Sequence, residues 1–217
     1  MNLLKTLKPF TAKPKSSREN LLAPIRQGKT FVATDGIAMA IYGPVSADGP
    51  CVNVESHEEV QFVNWQRCQP NPETTLLLLK ANRAELLAAC EALMSAEKSH
   101  SKRGDVGCRF RFRDGENTYM LPNDKCIDIR LENVPECSLA CSVKCIVGPG
   151  LAEISKGCDL GLSAAYVAKS LKALDCHMVQ IHCQPFEAER KAVVFSALGA
   201  EEEDLRIVLM PIRLRES

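Results

Sequence analysis

The sequence predicts an α+β fold of antiparallel sheets with helices on one face, built from repeated helix-plus-strands half-modules. Three observations lead there. Amphipathic helical patterns open three passages of the chain, and each passage continues into apolar, strand-like runs separated by turn residues. The helical patterns begin roughly 80 residues apart, the mark of a duplicated supersecondary unit. Several strands follow each helix, which argues against the strict strand–helix alternation of a parallel βαβ sheet.

In the first passage, Leu3, Leu7 and Phe10 recur at helical spacing while Lys5 and Lys8 fall on another face. After the polar, proline-bearing stretch from Thr11 to Ser17, the apolar runs Leu21 to Ile25 and Thr30 to Tyr42 flank Arg26-Gln27-Gly28-Lys29 and read as a hairpin. The second passage has a buried strand at Leu76 to Leu79. A helix follows from Arg83 to Met94 with Leu86, Cys90 and Leu93 in register. In Cys108 to Arg113, Cys108, Phe110 and Phe112 alternate with arginines, and Asp114-Gly115 marks a turn before Tyr119 to Leu121. The third passage opens at Ser163, an N-cap residue by type. Its helix carries Val167, Leu171 and Leu174 on one face and Ala165, Lys169 and Lys172 on another. Three strand-like runs close the chain, Met178 to Cys183, Lys191 to Ala197 and Leu205 to Ile212.

Composition bounds the function. The 217 residues suffice for one full core and a smaller second one, since single domains run to about 100–200 residues. Basic and acidic residues both number 27, so no global excess advertises a nucleic-acid partner and any such charge is local. Met1 to Lys15 holds Lys5, Lys8, Lys13 and Lys15 without an acid, whereas Glu201 to Asp204 is an acidic run. No apolar stretch approaches the roughly 20 residues that cross a bilayer and the N-terminus has no signal segment, so a cytoplasmic location without membrane contact is expected. The 11 cysteines, an odd count, read as reduced, partly buried thiols.

Three segments together resemble the beta sliding clamp of bacterial DNA polymerase III. Val32-Ala33-Thr34-Asp35-Gly36 is similar to a strand motif of the clamp's middle domain. Phe62-Val63-Asn64-Trp65-Gln66-Arg67-Cys68-Gln69-Pro70 is similar to the linker before its last domain. Val208-Leu209-Met210-Pro211-Ile212-Arg213-Leu214 resembles its closing strand and is the most specific of the three. The resemblance implies the DNA-clamp fold, with a partial middle-domain-like half-module and linker over 1–72 and a complete C-terminal domain over 73–217. The family's first domain and much of its middle domain have no counterpart.

In that family the three segments converge on a hydrophobic cleft that receives short linear peptides from polymerases and repair proteins. Position by position, the resemblance implies a cleft of Leu21, Thr34, Gly36, Ile37, Ala38, Met39, Val63, Arg67, Cys68, Val208, Met210, Pro211, Ile212, Arg213 and Leu214. It requires the closing strand to lie beside the Ala-Thr-Asp-Gly strand. Where the family commonly has His-Arg-Leu after the glycine, Ile37-Ala38-Met39 makes this wall more apolar. The resemblance also implies non-specific contact with duplex DNA through Lys5, Lys8, Lys169 and Lys172, a clamp loader as a further partner, and a homo-oligomeric ring, of four chains where the family's count of half-modules is kept; loss of the first domain equally allows a monomer or simple dimer. Each lysine also reads as the wet face of an amphipathic helix, and Met210-Pro211-Ile212 as an ordinary edge strand. A second reading makes the chain a clamp-fold interaction protein that binds clamp clients as a decoy or regulator without encircling DNA.

No catalysis, cofactor or metal is expected. His57, His100, His177 and His182 stand in no catalytic context, and Gly148-Pro149-Gly150 lacks the Lys-Ser/Thr pair of a phosphate loop. Cys137, Cys141 and Cys145, with Cys126 and Cys158 nearby, are spaced more widely than paired zinc ligands and are interleaved with apolar residues.

Overall fold

Strands that are apolar at successive positions, and not only at every second one, need cover on both faces, because neighbouring side chains point to opposite sides of a sheet. Thr30 to Tyr42 is such a run. In the computed structural model, which describes residues 2–44, 47–68, 77–98, 107–113, 126–131, 141–147, 158–183, 192–201 and 204–211, it supplies two cores at once. Ala33, Ala38 and Ala40 join Val193, Phe195, Ile207 and Leu209 on the helical side, against Leu7, Phe10, Leu86, Cys90, Val167 and Leu171. Their immediate neighbours Val32, Met39 and Ile41 turn the other way and close, with Val194 and Val208, on Ile25 and Trp65.

Among the described residues the α-helices are α1 (Leu3–Leu7), running into a 3₁₀ turn at Lys8–Phe10, α2 (Arg83–Lys98) and α3 (Ala164–Ala173). All three place buried side chains in the first core, so the described helices share one face of the sheet. Asn2 caps α1, its Oδ1 accepting from the Lys5 amide at 3.2 Å. Asn82 holds the start of α2 by accepting from Ala84 at 2.9 Å. Ser163 occupies the N-cap position of α3 but its side chain makes no capping hydrogen bond.

The strands are β1 (Ile25–Gln27), β2 (Thr30–Thr34), β3 (Ala38–Tyr42), β4 (Cys51–Asn53), β5 (Leu77–Asn82), β6 (Gly107–Arg113), β7 (Cys126–Leu131), β8 (Cys141–Val147), β9 (Cys158–Ser163), β10 (Met178–Cys183), β11 (Val193–Ala197) and β12 (Leu205–Leu209). These described strands form one 12-stranded sheet in the order β4-β1-β2-β3-β12-β11-β10-β5-β8-β7-β6-β9. The last described strand, β12, therefore lies inside the sheet, between β3 and β11, where Leu205, Val208 and Leu209 are covered.

Several expectations are refined. The run from Thr30 to Tyr42 is not one strand but two, split at Asp35–Ile37 and paired as a hairpin with Thr34 opposite Met39. Leu21 belongs to a 3₁₀ turn at Glu19–Leu21 and not to a strand. The sheet is antiparallel except that β7 pairs parallel with both β6 and β8. Strand β6 runs parallel to β7 along Arg109–Arg113. Its antiparallel partner is β9. The Asp114-Gly115 turn and the Tyr119 to Leu121 run lie outside the described residues, as do Cys137 and the side chains of Leu93, Cys126, Cys141, Cys145 and Cys158. Among the described residues, no helix is long and apolar enough to cross a membrane.

Candidate functional site

The turn between β2 and β3 is built by side chains that replace backbone partners. Asp35 Oδ1 accepts from the amides of Ile37 at 3.0 Å and Ala38 at 2.9 Å. Thr34 Oγ1 accepts from the Gly36 amide at 3.0 Å and donates to the Ala38 carbonyl at 2.8 Å. Such side-chain closure of a turn is what Asp and Thr do best, and it demands a residue free to enter the left-handed region. Gly36 meets that demand with φ at 91°. Arg18 lies across the glycine, its Nη1 donating to the Asp35 carbonyl at 3.2 Å. The turn thus presents Ile37 at its tip, 43% exposed.

The end of β12 meets this turn, the Met210 amide donating to the Ile37 carbonyl at 3.0 Å. The closing strand and the Ala33-Thr34-Asp35-Gly36 segment are therefore on the same side of the molecule, with β3 between β12 and β2. Around the junction opens a cavity of about 310 Å³, lined by Leu21, Thr34, Gly36, Ile37, Ala38, Met39, Val63, Cys68, Val208 and Met210 together with Arg18 and Asn20. Four separate stretches of chain meet there. Of the large apolar side chains that the described residues expose, Ile37, Val63 and Met210 stand at this one cavity, a concentration that a chance scatter of surface hydrophobics does not produce.

Two expected cleft residues stand apart. Arg67 is exposed on the 3₁₀ turn Trp65–Cys68, and Pro211 is half-buried beyond Met210; neither lines the cavity. Ile212, Arg213 and Leu214 lie outside the described residues. Arg18 and Asn20 were not expected, although one signal could have found Arg18. It precedes Leu21 by three residues, and in a 3₁₀ turn residues three apart stack on one side. The Leu21 amide indeed donates to the Arg18 carbonyl at 3.0 Å.

The cavity floor rests on the second core, to which Met39, Val208 and the partly buried Cys68 belong. Trp65 is the largest side chain there, and its Nε1 donates to Gln27 Oε1 at 2.8 Å. Cys68 Sγ donates to the Asn64 carbonyl at 3.7 Å, and burial pushes its thiol pKa up, which favours the protonated form of this wall residue. Arg18 is the one charged side chain in the lining, which makes the cavity apolar with a cationic rim.

The four lysines expected to face DNA separate. Lys5, Lys169 and Lys172 line a second cavity, about 490 Å³, between α1, Met94 of α2 and α3 on the helical face. Lys8 points elsewhere and pairs with Glu55 at 3.3 Å. Lys172 pairs with Glu91 at 2.8 Å while remaining largely exposed, a contact that water and salt easily exchange. Lys169 is different: its Nζ reaches Asp35 Oδ2 at 3.2 Å and the Pro9 carbonyl at 3.1 Å. Burial lowers its pKa, and the neighbouring Asp35 carboxylate offsets part of that effect. Among the described residues no group of His, Cys, Asp and Glu side chains gathers as metal ligands do.

One broad sheet with its helices gathered on one face, and an apolar cavity where the closing strand meets the β2–β3 turn, defines the class: the chain has the DNA sliding-clamp fold. Solved structures of bacterial clamps carry the same architecture. The DNA polymerase sliding clamp of Pseudomonas aeruginosa superposes with a TM-score of 0.62 at 15% identity over 98% of this chain and 63% of that one. The DnaN sliding clamp (DNA polymerase III subunit beta) of Bartonella birtlesii, bound to griselimycin, gives 0.61 at 12% identity over 97% and 63%. The Helicobacter pylori beta clamp bound to a DNA ligase peptide gives 0.58 at 12% identity over 98% and 63%. The chain therefore spans less than two thirds of the length of the clamps it resembles. No protein-family model and no curated protein sequence matches it.

Proposed function

We propose that the protein is a sliding-clamp-like, non-catalytic processivity factor that tethers DNA polymerase or repair clients through short peptides seated in the apolar cavity. The observation that carries this reading is the convergence of Leu21, the Thr34–Met39 turn, Val63, Cys68 and the Val208–Met210 strand end around one cavity with exposed apolar rims. Such a groove buries a partner's apolar anchors, and the Arg18 guanidinium at its rim suits an acidic side chain or a terminal carboxylate on the peptide. Peptide titration tests it, with the DNA ligase peptide carried by the Helicobacter pylori clamp as one probe. Met210→Ala is expected to weaken binding about tenfold, the effect of truncating an apolar contact worth 1–2 kcal/mol. Arg67→Ala, outside the lining, is expected to change it less than about twofold. Equal affinities for the wild type and Met210→Ala would remove the cavity from the mechanism.

In this reading the helical face meets duplex DNA through Lys5 and Lys172, contacts that read no sequence and weaken steeply with salt. Copies of the chain close the ring, as homo-oligomers of point symmetry do, and a clamp loader opens it. One observation favours the alternative of a client-binding protein that does not encircle DNA: Lys8, Lys169 and Lys172 each have an acidic partner, which diminishes the positive field offered to phosphates. Retention on DNA separates the two. A ring remains on closed circular DNA and is lost on linearisation, whereas a decoy is retained on neither.

A further inference from the structure

Lys169 behaves unlike the other lysines of the helical face. Its ammonium has three N–H donors, of which the Asp35 carboxylate and the Pro9 carbonyl accept two. The ring centroids of Phe10 and Tyr166 lie 4.8 and 4.3 Å from Nζ, so the charge is held between two aromatic faces. Lys169 and Asp35 side chains are only 24% and 15% exposed, against 59% and 48% for Lys172 and Glu91. A cation meant for phosphates keeps its head in solvent; this one is spent inside the protein.

Its partner is the residue that shapes the cavity wall. The Asp35 carboxylate is divided: Oδ1 takes the amides of Ile37 and Ala38, and Oδ2 takes Lys169, a residue 134 positions away on α3. A charged donor on one oxygen fixes the plane of the carboxylate and therefore the position of the other oxygen. We propose that Lys169 is a positioning residue of the peptide cavity, anchoring the Asp35 turn to helix α3 so that Ile37 is presented to the ligand in one conformation. This inference rests on the cavity being a peptide site. Without the ammonium, the poorly exposed carboxylate has lost its counter-ion and rotates toward water, releasing the two amides. The Arg18 contact to the Asp35 carbonyl and the β2–β3 pairing persist, so the hairpin survives with a loosened tip.

The experiment compares wild type, Lys169→Met, Lys169→Arg and Asp35→Asn by NMR-resolved amide exchange and by titration with the DNA ligase peptide. Lys169→Met is expected to speed exchange at Ile37 and Ala38 about tenfold while Phe195, in the sheet interior, is unchanged. It is expected to weaken the peptide about fivefold, mainly through faster dissociation. Lys169→Arg, which keeps the charge, restores both within about twofold. Asp35→Asn keeps a turn-capping oxygen but no charge for Lys169 and reproduces the Lys169→Met pattern, which covers the case in which Lys169→Met folds poorly. Unaltered exchange at Ile37 and Ala38 in both charge-removing variants, or unaltered affinity despite faster exchange, overturns the assignment. Failure of the wild type to bind, or indifference to Met210→Ala, sinks the peptide site itself and the positioning role with it; the exchange data still report whether the anchor exists.

Discussion

Trp65→Ala is expected to lower the unfolding free energy by roughly 3–5 kcal/mol, the range for deleting a large buried aromatic side chain. The indole is 1% exposed and is the largest member of a core that contains Ile25, Val32, Met39, Ile41, Val194 and Val208. All of them but Ile25 come from strands whose other face is already used by the helices, and these cannot collapse into the void without disturbing the first core. A loss of that size is a large share of the roughly 5–15 kcal/mol that holds a domain folded. Trp65→Phe keeps most of the apolar volume and loses the Nε1 hydrogen bond to Gln27, so it is expected to cost about 1–2 kcal/mol. Urea titration followed by circular dichroism measures both variants, because the chain has a single tryptophan and the substitutions remove the fluorescent probe. Met39 and Val208 also line the cavity, so any folded fraction of Trp65→Ala should bind peptide poorly. Equal midpoints for Trp65→Ala and wild type would show that the second core carries little of the stability.

The largest expected effect on binding without loss of the fold is that of Gly36→Ala. Two obstacles meet a methyl group there. Its φ of 91° costs a residue with a Cβ about 1–3 kcal/mol, and a Cβ there would overlap Arg18 Nη1. The second obstacle is the softer one, since a guanidinium on a flexible stem can swing aside. The turn is expected to relieve the backbone term by abandoning its Asp35 and Thr34 hydrogen bonds, which displaces Ile37 and weakens peptide binding about tenfold or more. The double variant Arg18→Ala with Gly36→Ala, measured against Arg18→Ala alone because Arg18 itself lines the cavity, separates the causes. Persistence of the defect assigns it to the backbone, the expected result, whereas recovery assigns it to the Arg18 clash.

How much of this was readable from the chain differs from element to element. The three described α-helices start at Leu3, Arg83 and Ala164, within a residue or so of where apolar spacing puts them, because that spacing directly records which side is covered. The run from Thr30 to Tyr42 misled, although Asp-Gly is a strong hairpin signal. Continuous apolar character hid the turn, since both strands flanking it are buried on two faces and show no alternation. Most of the cavity wall was legible because it follows short motifs. Arg67 was not separable from Arg18 by motif, because both precede a wall residue in a 3₁₀ turn and only the direction of the side chain distinguishes them.

By itself the sequence determined the local choices: which stretches are helical, which are extended, and which residues are apolar enough to be drawn out of water. Those choices depend on side-chain size, branching and spacing, all carried within a few neighbouring residues. Only the tertiary structure decided that β12 would lie beside β3, that Ile37, Val63 and Met210 would share one cavity, and that Lys169 would turn inward to Asp35 and not outward to solvent. Such pairings join residues far apart in the chain, where a lysine with a wet partner and a lysine with a buried one are written with the same letter.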